Sequence, residues 1–138
     1  MSSKTIPVTG GCLCGAIRYE SSRPPNWVSY CHCRTCQKAY GALFGLFAAF
    51  SETAFRFTQG APSYYRTSSW ARRGFCPACG TPIDFWYDEG PEMGVLIGTL
   101  DHPEEWPADR QHNGAEHEVP WLVIDDGLPR VRIDDTAG

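Results

Sequence analysis

Long apolar runs are missing from this 138-residue chain. Its most apolar stretch, GALFGLFAAF at positions 41–50, is far short of the roughly 20 residues needed to span a bilayer. The opening residues, MSSKTIPVTGG, lack the apolar core of a secretion signal. Basic runs are missing too, and the formal charge is −4, so nothing electrostatic favours a nucleic-acid partner. These absences lead to the expectation of a cytoplasmic protein with neither membrane nor nucleic acid as partner. In that compartment disulfides are rare.

Cysteine, by contrast, is plentiful. Seven are present, at 12, 14, 31, 33, 36, 76 and 79. An odd number in a reducing compartment argues against a disulfide framework, and their close spacing argues for metal. Apart from the cysteines, the composition is that of an ordinary globular protein, 42% apolar and 20% charged. The length predicts a single domain over 1–138, with its core at about 8–133.

Short apolar runs between turn signals, with abundant Gly, Pro and aromatic residues, predict a mainly β fold. The expected strands are 16–20, 27–30, 43–50, 54–57, 63–67, 82–87, 93–100 and 130–133. Gly60, Gly80, Gly90 and Gly127 mark turns. A short helix is expected from Thr35 to Tyr40 and a helical turn at HPEEW (102–106). The closing DDTAG is expected to fray. The aromatics Trp27, Tyr30, Phe44, Phe47, Phe50, Phe75, Phe85, Trp86 and Trp121 read mostly as core of a small β domain.

The cysteines fall into three clusters: C-x-C at 12–14, C-x-C-x-x-C at 31–36 and C-x-x-C at 76–79. Thiolates bind zinc tetrahedrally at about 2.3 Å. The Pro and Gly of CPACG favour a tight knuckle whose N–H groups can bond sulfur. Two pairs make one closed four-thiolate site, and the triplet makes a site one ligand short. A closed site is structural, whereas a three-ligand site with an exchangeable place is the usual catalytic form. Spacing alone does not say which two pairs share the closed site. The triplet's fourth place also stays open to a protein ligand from afar, and His102, His112 and His117 are the candidates.

The run GGCLCGAIRYE, CHCRTCQKAYGALF, RRGFCPACGTPIDF, GTLD and PWLVIDDGLP resembles the glutathione-dependent formaldehyde-activating (GFA) family, a CENP-V/GFA-type zinc domain. The likeness covers about residues 8–131. It implies a β-tent (MSS-like) zinc-binding fold with short helical turns and two zinc ions per chain. Cys12, Cys14, Cys76 and Cys79 match the family's structural zinc ligands. Cys31, Cys33 and Cys36 match its catalytic zinc. The implied activity is that of a carbon–sulfur lyase, an S-(hydroxymethyl)glutathione synthase that joins glutathione to formaldehyde. A small-molecule thiol and an aldehyde are therefore the expected partners.

An open three-thiolate zinc suits sulfur chemistry. A coordinated thiol is deprotonated, and three thiolates already feeding charge to the metal make it a weak Lewis acid for water. Glutathione carries two carboxylates, for which Arg34, Lys38, Arg66, Arg72 and Arg73 are the nearby cations in sequence; each is equally readable as a solvated surface charge. Arg72 and Arg73 could also anchor a strand before the knuckle. His32 lies between two ligands and could relay a proton, or it could turn away from the metal and bond backbone. Two other classes compete with the enzyme. One is a non-catalytic zinc module that binds a thiol or a protein partner. The other is a redox enzyme, which needs a free nucleophilic cysteine although all seven are taken as ligands.

Overall fold

The computed structural model describes residues 4–133, so the closing DDTAG lies outside the described residues. The chain forms two antiparallel-rich sheets. The smaller holds β1 (Val8–Gly11), β2 (Arg18–Ser21) and β5 (Phe55–Gln59) in the order β1-β2-β5. The larger contains β3 (Trp27–Cys31), β4 (Gly45–Ser51), β6 (Ser63–Arg66), β7 (Ala71–Phe75), β8 (Pro82–Tyr87), β9 (Glu92–Leu96), β10 (His112–Asn113) and β11 (Arg130–Val131). Their order is β11-β10-β3-β4-β9-β8-β7-β6. Only β10 pairs in parallel, with β3 on one side and β11 on the other. The one α-helix among the described residues, α1 (Arg34–Tyr40), interrupts the β3–β4 connection. Among the described residues no helix is long and apolar enough to cross a membrane.

The mainly β reading holds, with its short helix and the 3₁₀ turn at Pro103–Glu105. The four expected turn glycines all adopt positive φ. Three strands were not expected: β1, β7 and β10. VTGG and ARRGF hide their alternation behind glycines and adjacent arginines, and β10 is only two residues long. The run expected as a strand over 93–100 leaves the sheet at Leu96 and closes in a 3₁₀ turn at Ile97–Thr99. Thr99 there takes a 2.6 Å hydrogen bond with the hydroxyl of buried Tyr19.

The two sheets share one core. Val8, Tyr19 and Phe55 from the small sheet pack with Val28, Ala48, Phe50, Met93 and Val95 from the large one. The alternation of β4 and β9 places Ala48, Phe50, Met93 and Val95 on that core face. The opposite face therefore carries Phe47, Ala49, Gly94 and their register partners. Of the aromatics read as core, Phe50 is fully buried there, but Trp121 is 74% exposed. Trp27, Phe47 and Phe85 lie on the second face, around a cavity, while Tyr30 has the parity of Val28 and stacks on His112.

One buried charge belongs to the core face. Asp84 accepts from the Tyr64 hydroxyl at 2.6 Å and from Trp86 Nε1 at 2.8 Å. A Cβ on Gly74 would come within 1.9 Å of its Oδ1, so the carboxyl fits only because residue 74 is glycine. Burial raises the Asp84 pKa. Between the usual carboxylate range and that raised value, the folded state keeps a proton the unfolded chain has lost. Asp84's contribution to stability therefore falls as pH rises through this window. Asp84→Asn keeps an oxygen acceptor and removes the titration. Its melting temperature is expected to gain on wild type as pH rises from about 4 to 7, and parallel melting curves against pH would show the opposite.

Candidate metal centres

The loop between β1 and β2 and the knuckle between β7 and β8 meet at a cluster of sulfurs. Cys12, Cys14, Cys76 and Cys79 place their Sγ atoms within 4.8 Å of one another. Cys12 and Cys14 are 3.6 Å apart and Cys14 and Cys76 are 3.8 Å apart. A tetrahedron with metal–sulfur bonds of about 2.3 Å has edges of about 3.8 Å, so the spacing fits zinc. The loops are built alike. Gly15 N–H donates to Cys12 O and Gly80 N–H to Cys76 O, and both glycines have φ of 81°, a conformation that favours glycine. Ile17 N–H donates to Cys12 Sγ at 3.3 Å. The Thr81 hydroxyl lies 3.1 Å from Cys79 Sγ and pulls that thiol down to about 5.

The triplet stands apart at the other side of β8. Cys31 ends β3, Cys33 caps α1 and Cys36 lies in its first turn, with the Cys36 N–H donating to Cys33 Sγ at 3.3 Å. Their sulfurs also fall within 4.8 Å of one another. The pairing of protons among them splits their acidities: Cys33, accepting from Cys31 and Cys36, is pushed down to about 2, while Cys31, donating to Cys33, is pushed far up. Three thiols so close cannot all ionise unless a cation sits between them, and this donor set fits zinc. Among the described residues no fourth Cys, His, Asp or Glu donor joins the group. His102 clusters with Glu104 and Glu105, and His112 with His32 and Glu118. His117 instead gives its backbone carbonyl to Gln37 Nε2.

That Gln37 amide nitrogen also reaches the carbonyls of His32 at 2.9 Å and Leu43 at 3.2 Å, tying both ends of the triplet loop. His32 does not bond backbone through its outer nitrogen. Its Nε2 meets His112 Nδ1 at 2.8 Å, and His112 Nε2 meets the Asp126 carboxylate at 2.9 Å. Tyr30 stacks on the His112 ring at 4.1 Å. This buried chain pins the loop from behind. Gly114 completes the mount: its φ is +68°, and a Cβ there would sit 2.9 Å from Cys33 N.

Of the five cations singled out in sequence, Arg73 alone faces the triplet. It is 1% exposed, with Nη1 on Cys36 Sγ at 3.5 Å and on the Tyr40 hydroxyl at 2.8 Å, and Nε on Thr67 Oγ1 at 3.0 Å. Arg34 is exposed and bonds Gln37. Lys38 is exposed on the helix. Arg66 pairs with Asp88. Arg72 stacks on Tyr64 and Trp86, on the other face of the sheet. Cys31, Cys33, Cys36 and Arg73 line a cavity of about 320 Å³. Arg110 lines it as well, stacked 4.6 Å over the Trp27 ring. Sequence reasoning passed over Arg110, Gly114 and Asp126, which reach the site through tertiary contacts, and Gln37, which follows Cys36 on α1, because none belongs to a spacing pattern.

Residues 7–113 match the family model of the glutathione-dependent formaldehyde-activating enzyme. The chain belongs to the GFA family. An uncharacterized lyase of Schizosaccharomyces pombe is 33% identical over 81 residues, 59% of this chain and 58% of that protein. The match thus spans less than two thirds of that relative's length. A solved Rhodobacter sphaeroides protein superposes with a TM-score of 0.56 at 21% identity, over 88% of this chain and 98% of its own. At that identity the likeness speaks for the fold. All seven cysteines of this GFA member lie within the matched span.

Three outcomes are expected of cysteine and glycine variants. Loss of a structural zinc removes on the order of 10 kcal/mol, about a domain's whole margin. Cys76→Ser is therefore expected to be unfolded or aggregated, and Cys36→Ser to fold with the triplet metal lost; metal analysis and thermal melting test both, and a wild-type melt for Cys76→Ser would refute the assignment. Gly114→Ala is expected to keep the four-thiolate metal while weakening the triplet's metal affinity by about tenfold or more. Competition with a graded chelator measures that difference.

Proposed function

We propose that this protein is a carbon–sulfur lyase that joins a small thiol, glutathione or a similar one, to an aldehyde and runs the reverse cleavage. Formaldehyde is the simplest such aldehyde. The observation that carries the reading is the location of the triplet: three thiolate donors, with no fourth protein donor among the described residues, open onto a cavity. In this reading Cys12, Cys14, Cys76 and Cys79 hold a structural zinc and Cys31, Cys33 and Cys36 a second one. When bound there, the metal supplies a place where an incoming thiol is held as its thiolate.

The protein's own residues do the rest. Arg73 lends a buried positive charge to a sulfur-rich site and holds Cys36 in place. Tyr40, bonded to Arg73, fixes that guanidinium. His32, anchored through His112 and Asp126, keeps Cys31 and Cys33 in register rather than presenting a free nitrogen along that chain. Addition is balanced simply: the thiolate sulfur bonds the carbonyl carbon, the π pair moves to oxygen, and oxygen takes a proton from solvent. No group leaves and no oxidant is needed.

Cobalt substitution tests this. Glutathione added to the cobalt-loaded protein is expected to strengthen the sulfur-to-metal charge-transfer bands and release about one proton per thiol bound. The response is expected to vanish in Cys33→Ser. No change with glutathione, cysteine or coenzyme A would overturn the open-site reading and favour a non-catalytic zinc module.

A further inference from the structure

The cavity's shape selects among aldehydes. Residues Trp27, Ala49, Gly94, Phe85 and Arg73 are consecutive register partners across β3, β4, β9, β8 and β7, so their side chains share one face. The two central positions carry almost no side chain. A Cβ on Gly94 would make ordinary contacts, with Phe47 at 3.5 Å and the Ala48 carbonyl at 3.8 Å. Trp27 and Phe85 stand three strand spacings apart, about 14 Å, with the small Ala49 and Gly94 on the buried floor between them and the Phe47 ring beside Gly94. The result is a slot running along β4 and β9, with Cys31 at the end of the strand that carries Trp27 and Phe47 the outward residue of β4 between Ala49 and that end.

Both walls are aromatic and braced. On one side Phe85 packs edge-on with Phe47 and Tyr87, at 5.9 and 4.9 Å, and Trp70 stacks on Tyr87 at 5.7 Å. On the other, Trp27 is held by Glu92 at its Nε1 and by Arg110 over its ring. The polar groups of the remaining wall bond one another. Gln111 Nε2 donates to Asn113 Oδ1 at 2.6 Å, Asn113 Nδ2 approaches Ser29 Oγ at 3.4 Å, and Ser29 Oγ donates to Gln111 O at 2.8 Å. Arg73 is engaged with Tyr40, Thr67 and Cys36. A one-carbon aldehyde uses none of this surface. A flat ring placed on the Ala49–Gly94 floor would meet aromatic faces and edges on both sides.

We infer that the carbonyl partner is an aryl aldehyde, its ring seated in the slot and its carbonyl carbon directed to the Cys31–Cys33–Cys36 end. The inference rests on the thiol-addition reading above and narrows its substrate. The chemistry is unchanged: sulfur adds to the carbonyl carbon, oxygen gains a proton, and the product is an aryl hemithioacetal.

Two measurements test it. Benzyl alcohol, which has the ring and no carbonyl, is expected to quench or shift the fluorescence of Trp27 and Trp70 saturably, with or without metal loaded. Exchange between free aldehyde and its glutathione adduct, followed by NMR line shape, is expected to be accelerated by about tenfold more for benzaldehyde than for formaldehyde. Ala49→Leu fills the floor and is expected to abolish the benzyl alcohol response and the benzaldehyde preference. Gly94→Ala, which meets no clash, is expected to weaken both and serves where Ala49→Leu does not fold. Acceleration for formaldehyde with no benzaldehyde preference and no benzyl alcohol response would overturn the aryl inference alone. Acceleration for neither aldehyde, with no cobalt response to thiol, would overturn the thiol-addition reading itself.

Discussion

Four thiols cannot sit within 4.8 Å of one another as thiolates without a cation between them, and the rest of this fold is arranged around that constraint. The cluster joins residues 62 positions apart in sequence, Cys14 and Cys76. One pair belongs to the small sheet's first connection and the other to a hairpin of the large sheet. Cys12 and Cys76 are themselves buried among the core side chains. The sulfur cluster and the apolar core therefore fix the same relation between the two sheets, one by coordination geometry and the other by packing. A chain of this size buries a modest core, which makes the contribution of the sulfur cluster proportionally large.

With the sheets fixed on one face, the other face of the large sheet is left to build a site. Alternation along β4 and β9 sends Ala48, Phe50, Met93 and Val95 into the core. By the same geometry it sends Ala49 and Gly94 outward, where their smallness makes a hollow instead of a cavity in the core. Strand β3 ends at Cys31, and the polypeptide turns at once into α1 so that Cys33 and Cys36 return over the hollow. The pairing of β10 beside β3 brings His112 behind this turn. The site thus depends on a parallel bridge of only two residues, held by buried His112, the Tyr30 ring stacked on it and the Asp126 carboxylate bonded to its Nε2.

Much of this was legible in the sequence. The grouping of cysteines as four plus three followed from spacing together with family resemblance, and the short helix followed from its place within the triplet. The turn glycines were legible because positive φ leaves a residue-type signature. What was not legible shares one cause: it depends on register between distant strands. ARRGF alternates a buried arginine with one stacked on the opposite face, and nothing local distinguishes Arg72 from Arg73. Trp27 and Phe85 look like core residues by type. Only the β3-β4-β9-β8 order shows that they flank two small residues instead of filling a core. Arg110 and Gly114 reach the site from a segment without regular periodicity.

The two sulfur clusters differ in charge as well as in ligand count. With a divalent ion bound, four thiolates leave two net negative charges. That cluster tolerates them because Cys14 is exposed to water and a backbone and a hydroxyl donor reach Cys12 and Cys79. Three thiolates leave one, and Arg73, buried beside Cys36, offsets it. Such neutrality suits a site whose Cys33, Cys36 and Arg73 are buried, since an uncompensated buried charge is costly. An arriving thiol restores a single negative charge once its proton is released. Electrostatics would then favour a neutral second reactant over a charged one. An uncharged aldehyde carbon satisfies that condition, and its addition product carries the charge on oxygen only until solvent protonates it.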